Sequence, residues 1–173
     1  YLTEKDITPE NISKLRLKNL TNDNNTILKN IELENLEILN LNNYNKLIIQ
    51  EIKAISDSSS LLFYKTNLNE ANIFNFDFSK FYLFIEKSLI SKITPNNITW
   101  NFDIKNNNKQ DLFETYRQLK IVCETNKDQI NEIKFHQKEM EIQEELIKIK
   151  NGFGDWFIFK FNKLSNNFGL NWW

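Results

Sequence analysis

Between Thr66 and Leu83 the apolar positions recur every five residues: Thr66-Asn67-Leu68-Asn69-Glu70, Ala71-Asn72-Ile73-Phe74-Asn75, Phe76-Asp77-Phe78-Ser79-Lys80, Phe81-Tyr82-Leu83. The first residue of each unit is Thr, Ala or Phe, and the third is Leu, Ile or Phe. The second is mostly Asn or Asp. Strands repeat about every 2 residues and helices about every 3.6, so neither carries this period. A coil that turns a corner every five residues and buries positions one and three does. The same phase holds upstream, at Ile31/Leu33, Leu36/Ile38, Leu41 with Asn43, and Leu61/Phe63. Residues 46–60 break it, with Lys53 where an inward residue should stand and a loop expected around Asp57-Ser58-Ser59-Ser60. A leucine-rich strand or helix pattern is the alternative for Ile31–Tyr44.

Ahead of the pentads, Ser13-Lys14-Leu15-Arg16-Leu17 alternates as a strand would, and Asn19–Asn25 reads as a polar turn. Beyond Phe84 the pattern fades. Ile90, Ile93 and Ile98 keep a related spacing, and Thr99-Trp100-Asn101-Phe102 reads as a last strand with Trp100 as a cap. A coil of about 20 residues rises by one strand spacing, ~4.8 Å. Residues 31–85 then make under about three coils, too few for a repeat array to stand alone. The polar link Asn106-Asn107-Asn108 separates a β-coil domain with an N-terminal cap, 1–105, from a helical and membrane-proximal domain, 106–173.

From Gln110 the period becomes helical. Leu112, Tyr116, Leu119 and Cys123 form one stripe, and Thr125-Asn126-Lys127-Asp128 is a turn. Asn126 suits a left-handed helix end and Asp128 a cap for the next helix. That second helix, to about Lys150, carries two stripes, Ile133/Met140/Ile147 and Phe135/Ile142/Ile149. Two residues apart is ~200° around a helix, so the stripes lie on opposite sides and call for two packing partners. Gly152-Phe153-Gly154 breaks the helix and Asp155 can cap another, although Trp156–Phe161 alternates like a strand.

The pentads at 61–83 and the hairpin residues Glu114-Thr115-Tyr116-Arg117-Gln118-Leu119-Lys120 with Phe135 and Glu139 resemble membrane-tethered bacterial pentapeptide repeat proteins. So does the segment Trp156…Leu164-Ser165-Asn166-Asn167-Phe168-Gly169, which in that group leads into transmembrane helices, some of them channel-like. The resemblance leaves the N-terminal third uncovered, and Ile133-Lys134 stands where small residues are frequent in the family. It implies an α+β fold: a short, degenerate, right-handed β-helix of pentapeptide type, an α-helical hairpin and a short aromatic C-terminal helix.

Composition narrows the chemistry. The formal net charge is −1, which removes any general electrostatic case for nucleic acid as a partner. No stretch longer than ten residues lacks a charge, so no segment of the sequence is long and apolar enough to span a bilayer, and no signal peptide is seen. The chain begins at Tyr1, and a preceding segment is expected. Asparagine occurs 28 times, a bias attributed to an AT-rich genome. One histidine, His136, permits no His cluster, triad or two-His metal site within one chain. Cys123 sits on an apolar stripe as a small core residue and makes no internal disulfide, in keeping with a reducing compartment. Glu139, Glu141, Glu144 and Glu145 read as a solvated face, with Lys120 and Arg117 paired to Glu114 or Glu124.

The expected activity is therefore non-enzymatic, with no cofactor, no metal and no identified small-molecule substrate. The expected protein is a cytoplasmic scaffold or sensor domain at the inner face of a membrane. Trp156, Phe157, Lys160, Phe161, Lys163, Trp172 and Trp173 are its candidate membrane- or partner-facing residues, since lysines among aromatics suit an interface. The partners would be that membrane surface and a protein, another copy of the chain included. The alternative is a soluble pentapeptide repeat protein that engages a protein partner, a duplex-DNA mimic among the options; such mimics are long and strongly acidic.

Overall fold

In the computed structural model of this chain, residues 12–19, 26–41 and 47–150 are described, together with Gly154, Phe157, Ile158, Lys160, Phe161 and Leu164. The chain forms two compact units, Tyr1–Asn106 and Asn107–Trp173.

The first unit is a β-solenoid of about four turns, in which the described strands all pair in parallel. Its strands are β1 (Ile12–Lys18), β2 (Thr26–Leu39), β3 (Leu47–Ala54), β4 (Ser60–Tyr64), β5 (Asn72–Asp77), β6 (Tyr82–Glu86) and β7 (Thr94–Thr99). A 3-10 turn, Phe78–Lys80, follows β5. The 14-residue β2 serves two sides of the coil. Its first half pairs with β3, its second half with β1 and β4. Two ladders result, β2-β3-β5-β7 and β1-β2-β4-β6, joined at β2.

The turns are longer than twenty residues. Ile12 lies against Leu33 and Leu33 against Ala54, steps of 21, whereas Leu36 to Leu61 and Leu61 to Leu83 are steps of 25 and 22. The widest step holds the loop 55–59, which contains Asp57 and the serines.

Burial follows the expected phase. Leu61/Phe63, Thr66/Leu68, Ala71/Ile73, Phe76/Phe78 and Phe81/Leu83 are all buried, as are Ile31/Leu33, Leu36/Ile38 and Leu41. Asn43 lies outside the described residues. In β3 the buried residues are Leu47, Ile49 and Ile52, one position later than the upstream phase extrapolates, which leaves Lys53 exposed. The last strand also comes earlier than expected: β7 ends at Thr99, and Trp100 after it stacks on Phe78, centroids 5.5 Å apart and planes within 2°. Phe76 continues this aromatic column to Phe78 at 4.3 Å and to Phe81 at 5.5 Å.

The corners explain the fifth position. Asn19, Asn30, Asn40, Glu51, Lys65, Glu70, Asn75, Lys87 and Asn97 all have φ between 48° and 69°. From Asn30 on, each follows an outward residue and precedes an inward one, so the left-handed residue swings the strand through its corner. Asparagine tolerates that conformation best among non-glycine residues, and all three glycines of the chain lie beyond the solenoid. The asparagine bias is thus in part structural. Buried hydroxyls satisfy the corner backbone: Thr66 Oγ1 donates to Ile38 O at 3.0 Å, and Ser88 Oγ accepts from Thr66 N–H at 3.1 Å.

The second unit is a helical hairpin of α1 (Lys109–Thr125) and α2 (Gln129–Lys150). Asn108 caps α1 by accepting from the N–H groups of Gln110 and Asp111, and Asp128 caps α2 through Asn131 N–H. Leu112, Tyr116, Leu119, Val122 and Cys123 of α1 are buried, and Phe135 of α2 is fully so, 6.5 Å from the Tyr116 ring. Asn126 does not take the left-handed position. Its φ is −90°, and Lys127, at 60°, turns the chain instead. The Asn126 amide is used to hold Val122 O, at 2.7 Å.

Candidate functional site

Beyond α2 the described residues Gly154, Phe157, Ile158, Lys160, Phe161 and Leu164 are helical. In a helix, spacings of one, four and seven place Phe157, Ile158, Phe161 and Leu164 on one side. That side is open: their exposures are 50%, 62%, 60% and 81%. The Phe157 and Phe161 rings lie 5.3 Å apart at 55°, a tilted pair.

Lys160, three residues after Phe157 and four before Leu164, stands at the edge of that side. Its Nζ is 2.8 Å from Glu144 Oε1 of α2, and Glu144 is buried. Lys160 thus ties the segment to α2, while Phe157, Ile158, Phe161 and Leu164 stay exposed. Three of the seven candidate residues, Phe157, Lys160 and Phe161, can be placed. The structure joins the two phenylalanines and assigns Lys160 to Glu144. Trp156, Lys163, Trp172 and Trp173 lie outside the described residues. Ile158 and Leu164 join the stripe without having been singled out by the sequence pattern. Their helical spacing is present in the chain, but the strand-like alternation of Trp156–Phe161 masks it.

The acidic face of α2 is solvated only in part: the Glu141 and Glu145 side chains are 41% and 46% exposed, whereas Glu139 and Glu144 are buried. Glu139, 4% exposed, accepts from Lys120 Nζ of α1 at 2.6 Å, and the same oxygen lies 3.2 Å from His136 Nδ1. Glu144 is held by Lys160, and Glu145 by Lys109 at 2.5 Å. Glu139 and Glu145 thus bond across the hairpin, to Lys120 and Lys109 of α1. Cys123 is buried, and its thiol is pushed up from 9.0 to about 12, first by burial and then by the carboxylates of Asp128 and Glu132. A thiol so held stays protonated and is a poor nucleophile at neutral pH.

On the solenoid, a cleft of about 350 Å³ opens beside the loop 55–59. Buried Ile52 and Phe81 line it, and Lys53, Asp57, Asp77 and Lys80 carry its charges. Asp77 is engaged locally, accepting from Ser79 N–H at 3.0 Å. Among the described residues, no group of three or more His, Cys, Asp or Glu side chains could hold a metal ion. Nor is any described helix long and apolar enough to cross a membrane. No family model matches the chain, and neither a curated protein nor a solved structure is detectably similar to it.

Proposed function

We propose that this chain is a non-enzymatic scaffold domain that works at the inner face of a membrane, made of a pentapeptide-repeat-like solenoid and a membrane-seated helical unit. The observation behind this reading is the exposed stripe Phe157, Ile158, Phe161 and Leu164, on a segment whose Lys160 bonds Glu144. Such a stripe, left in water, favours an interface where apolar area is buried, at ~1.5–3 kcal/mol for each large side chain. A bilayer surface accepts it without a matching groove. The solenoid, with charges of both signs on its surface, would serve as the protein-binding body. A soluble partner-binding protein that docks this stripe on a protein groove is the second reading, supported by the same exposure.

Vesicle sedimentation separates the two. The chain should pellet with vesicles of anionic lipid, and the double variant Phe157→Ser with Phe161→Ser should stay in solution while keeping its far-UV circular dichroism. A chain that ignores vesicles of every composition, and is monomeric at high concentration, would exclude the membrane seat.

A further inference from the structure

The solenoid ends differ in how they treat their edges. At one end β6 is sealed: the carbonyls of Phe81, Leu83 and Ile85 accept from Asn101 Nδ2, Lys105 N–H and Asn106 Nδ2, each at 2.8 Å. β7 beside it is blunted by a proline. Thr94 gives its N–H to Ala71 O, so by strand alternation Pro95 faces the unpaired side, where it has no N–H to offer. At the other end, among the described residues, β1 carries neither device. It pairs with β2 along one side, and among the described residues no strand lies along the other. Asn19 gives its N–H to Leu39 O of β2, so the same alternation directs the N–H groups of Lys14, Arg16 and Lys18 to the unpaired side.

The side chains of those three residues form an exposed cationic row. Glu37 answers two of them, Lys14 at 2.6 Å and Arg16 through its Nε. Lys18 has no ion-pair partner among the described residues. Among the described residues the row keeps surplus positive charge beside backbone groups that no second strand takes up.

We infer that β1 is a docking edge for an extended segment of another protein with carboxylates at alternate positions, which adds to the solenoid as a further strand. Backbone hydrogen bonds supply the attachment, and Asp or Glu opposite the cationic row supplies the selectivity. The same row excludes β1 of a second copy, because like charges placed opposite each other across strands repel. This edge lies in the solenoid unit and is independent of the C-terminal stripe, so either reading can fail alone.

The test uses the full chain and a labelled seven-residue peptide, matched to β1 in length, of alternating Glu and Val, followed by fluorescence anisotropy. Two controls accompany it: the same peptide with alternate backbone nitrogens methylated, and a Lys/Val peptide. The Glu/Val peptide should bind, the methylated one at least ~10-fold more weakly, and the Lys/Val one not at all. Lys18→Thr, which removes charge alone, should weaken binding a few-fold. Lys18→Pro, which also removes an edge N–H, should weaken it at least ~10-fold. Should Lys18→Pro unfold the chain, the methylated peptide reads the same quantity on the native protein. Equal affinity for methylated and unmethylated peptides, equal affinity for the Lys/Val peptide, or no binding of Glu/Val at ~1 mM, each overturns the inference.

Discussion

Asn97 donates its side-chain amide to the side-chain oxygen of Asn75 at 2.9 Å, and both residues hold the left-handed conformation at one corner of successive turns. Asn75 in turn donates to Glu51 Oε1 at 3.3 Å, one turn further back, where Glu51 is left-handed too. At the other corner Asn40 donates to Asn19 at 3.1 Å. These side chains do two things together. They accept a backbone conformation that most residues resist, and they bond along the axis, so each turn helps to fix the next.

Where the corner residue is not asparagine, strain remains to be relieved. Glu70 has φ 69° and is exposed. The left-handed conformation costs an ordinary residue ~1–2 kcal/mol, so Glu70→Gly should raise stability by ~0.5–1 kcal/mol after the glycine's extra unfolded-state entropy. Asn75→Ala should lower it by at least ~1–2 kcal/mol, through the corner and the ladder bond together. Urea midpoints measure both. If Glu70→Gly destabilised the chain, the corner would not be strained in solution.

How far these features can be read from the chain depends on where their partners lie. Phase is legible at Leu68, Ile73, Phe78 and Leu83, because in-and-out alternation broken at each corner is written directly in the order of side chains. The corners themselves are not. Asn75 and Asn97 are 22 residues apart, so their bond looks like one more instance of a residue common throughout the chain. The extra residue before β3 is invisible for a related reason: it shifts register without changing composition. Glu139 and Glu144 read as solvated because their partners stand on other elements, Lys120 on α1 and Lys160 beyond α2. Helical spacing within α2 reports only neighbours on α2.

Phe78 tests the aromatic column. It is buried between Phe76 and Trp100, and Phe78→Ala would leave a void against two rings that cannot both move in. The expected loss is ~3–5 kcal/mol, read from denaturant titration. A loss under ~1 kcal/mol would mean that the column is not packed.

Acid should loosen the solenoid through two carboxylates. Glu37 is held below its ordinary value near 4.5, first by the hydrogen bond from Arg16 and then by that from Lys14. Glu51 is lowered as well, by Gln50 first and Asn75 second. A carboxyl whose folded value lies below its unfolded one stabilises the fold fully above the unfolded value, about 4.5, and loses that contribution as pH falls through the folded value. Stability should therefore decline below about pH 4.5, and Glu37→Gln should decline less steeply while starting lower. Identical slopes for variant and parent would remove Glu37 from the account.

Cys123 gives a probe of the hairpin. With its thiol pushed up to about 12 by burial, and by Asp128 and Glu132 nearby, almost no thiolate exists at neutral pH. Native protein should react slowly with an alkylating reagent, and addition of denaturant should bring the rate to that of a free thiol. Fast modification without denaturant would show that α1 and α2 part readily.

The pair Lys120–Glu139 tests what fixes the hairpin. Glu139 is 4% exposed and so has lost nearly all of its water, and Lys120 Nζ at 2.6 Å is its strong compensation. His136 adds a second contact to the same oxygen, at 3.2 Å. Lys120→Ala would leave a buried carboxylate with that one contact, and removal of one partner of a buried pair costs ~3–5 kcal/mol. The partly exposed position of Lys120 lets water enter, which places the expected loss nearer ~3 kcal/mol. The double variant Lys120→Met with Glu139→Leu should behave differently. It removes both charges and fills their volume, and such replacements are often neutral or stabilising. A double variant as unstable as Lys120→Ala would show that packing, and not the stranded charge, sets the loss. A single variant with parental stability would show that His136 and water suffice for Glu139, and that the hairpin takes its register from Phe135 and the α1 stripe alone.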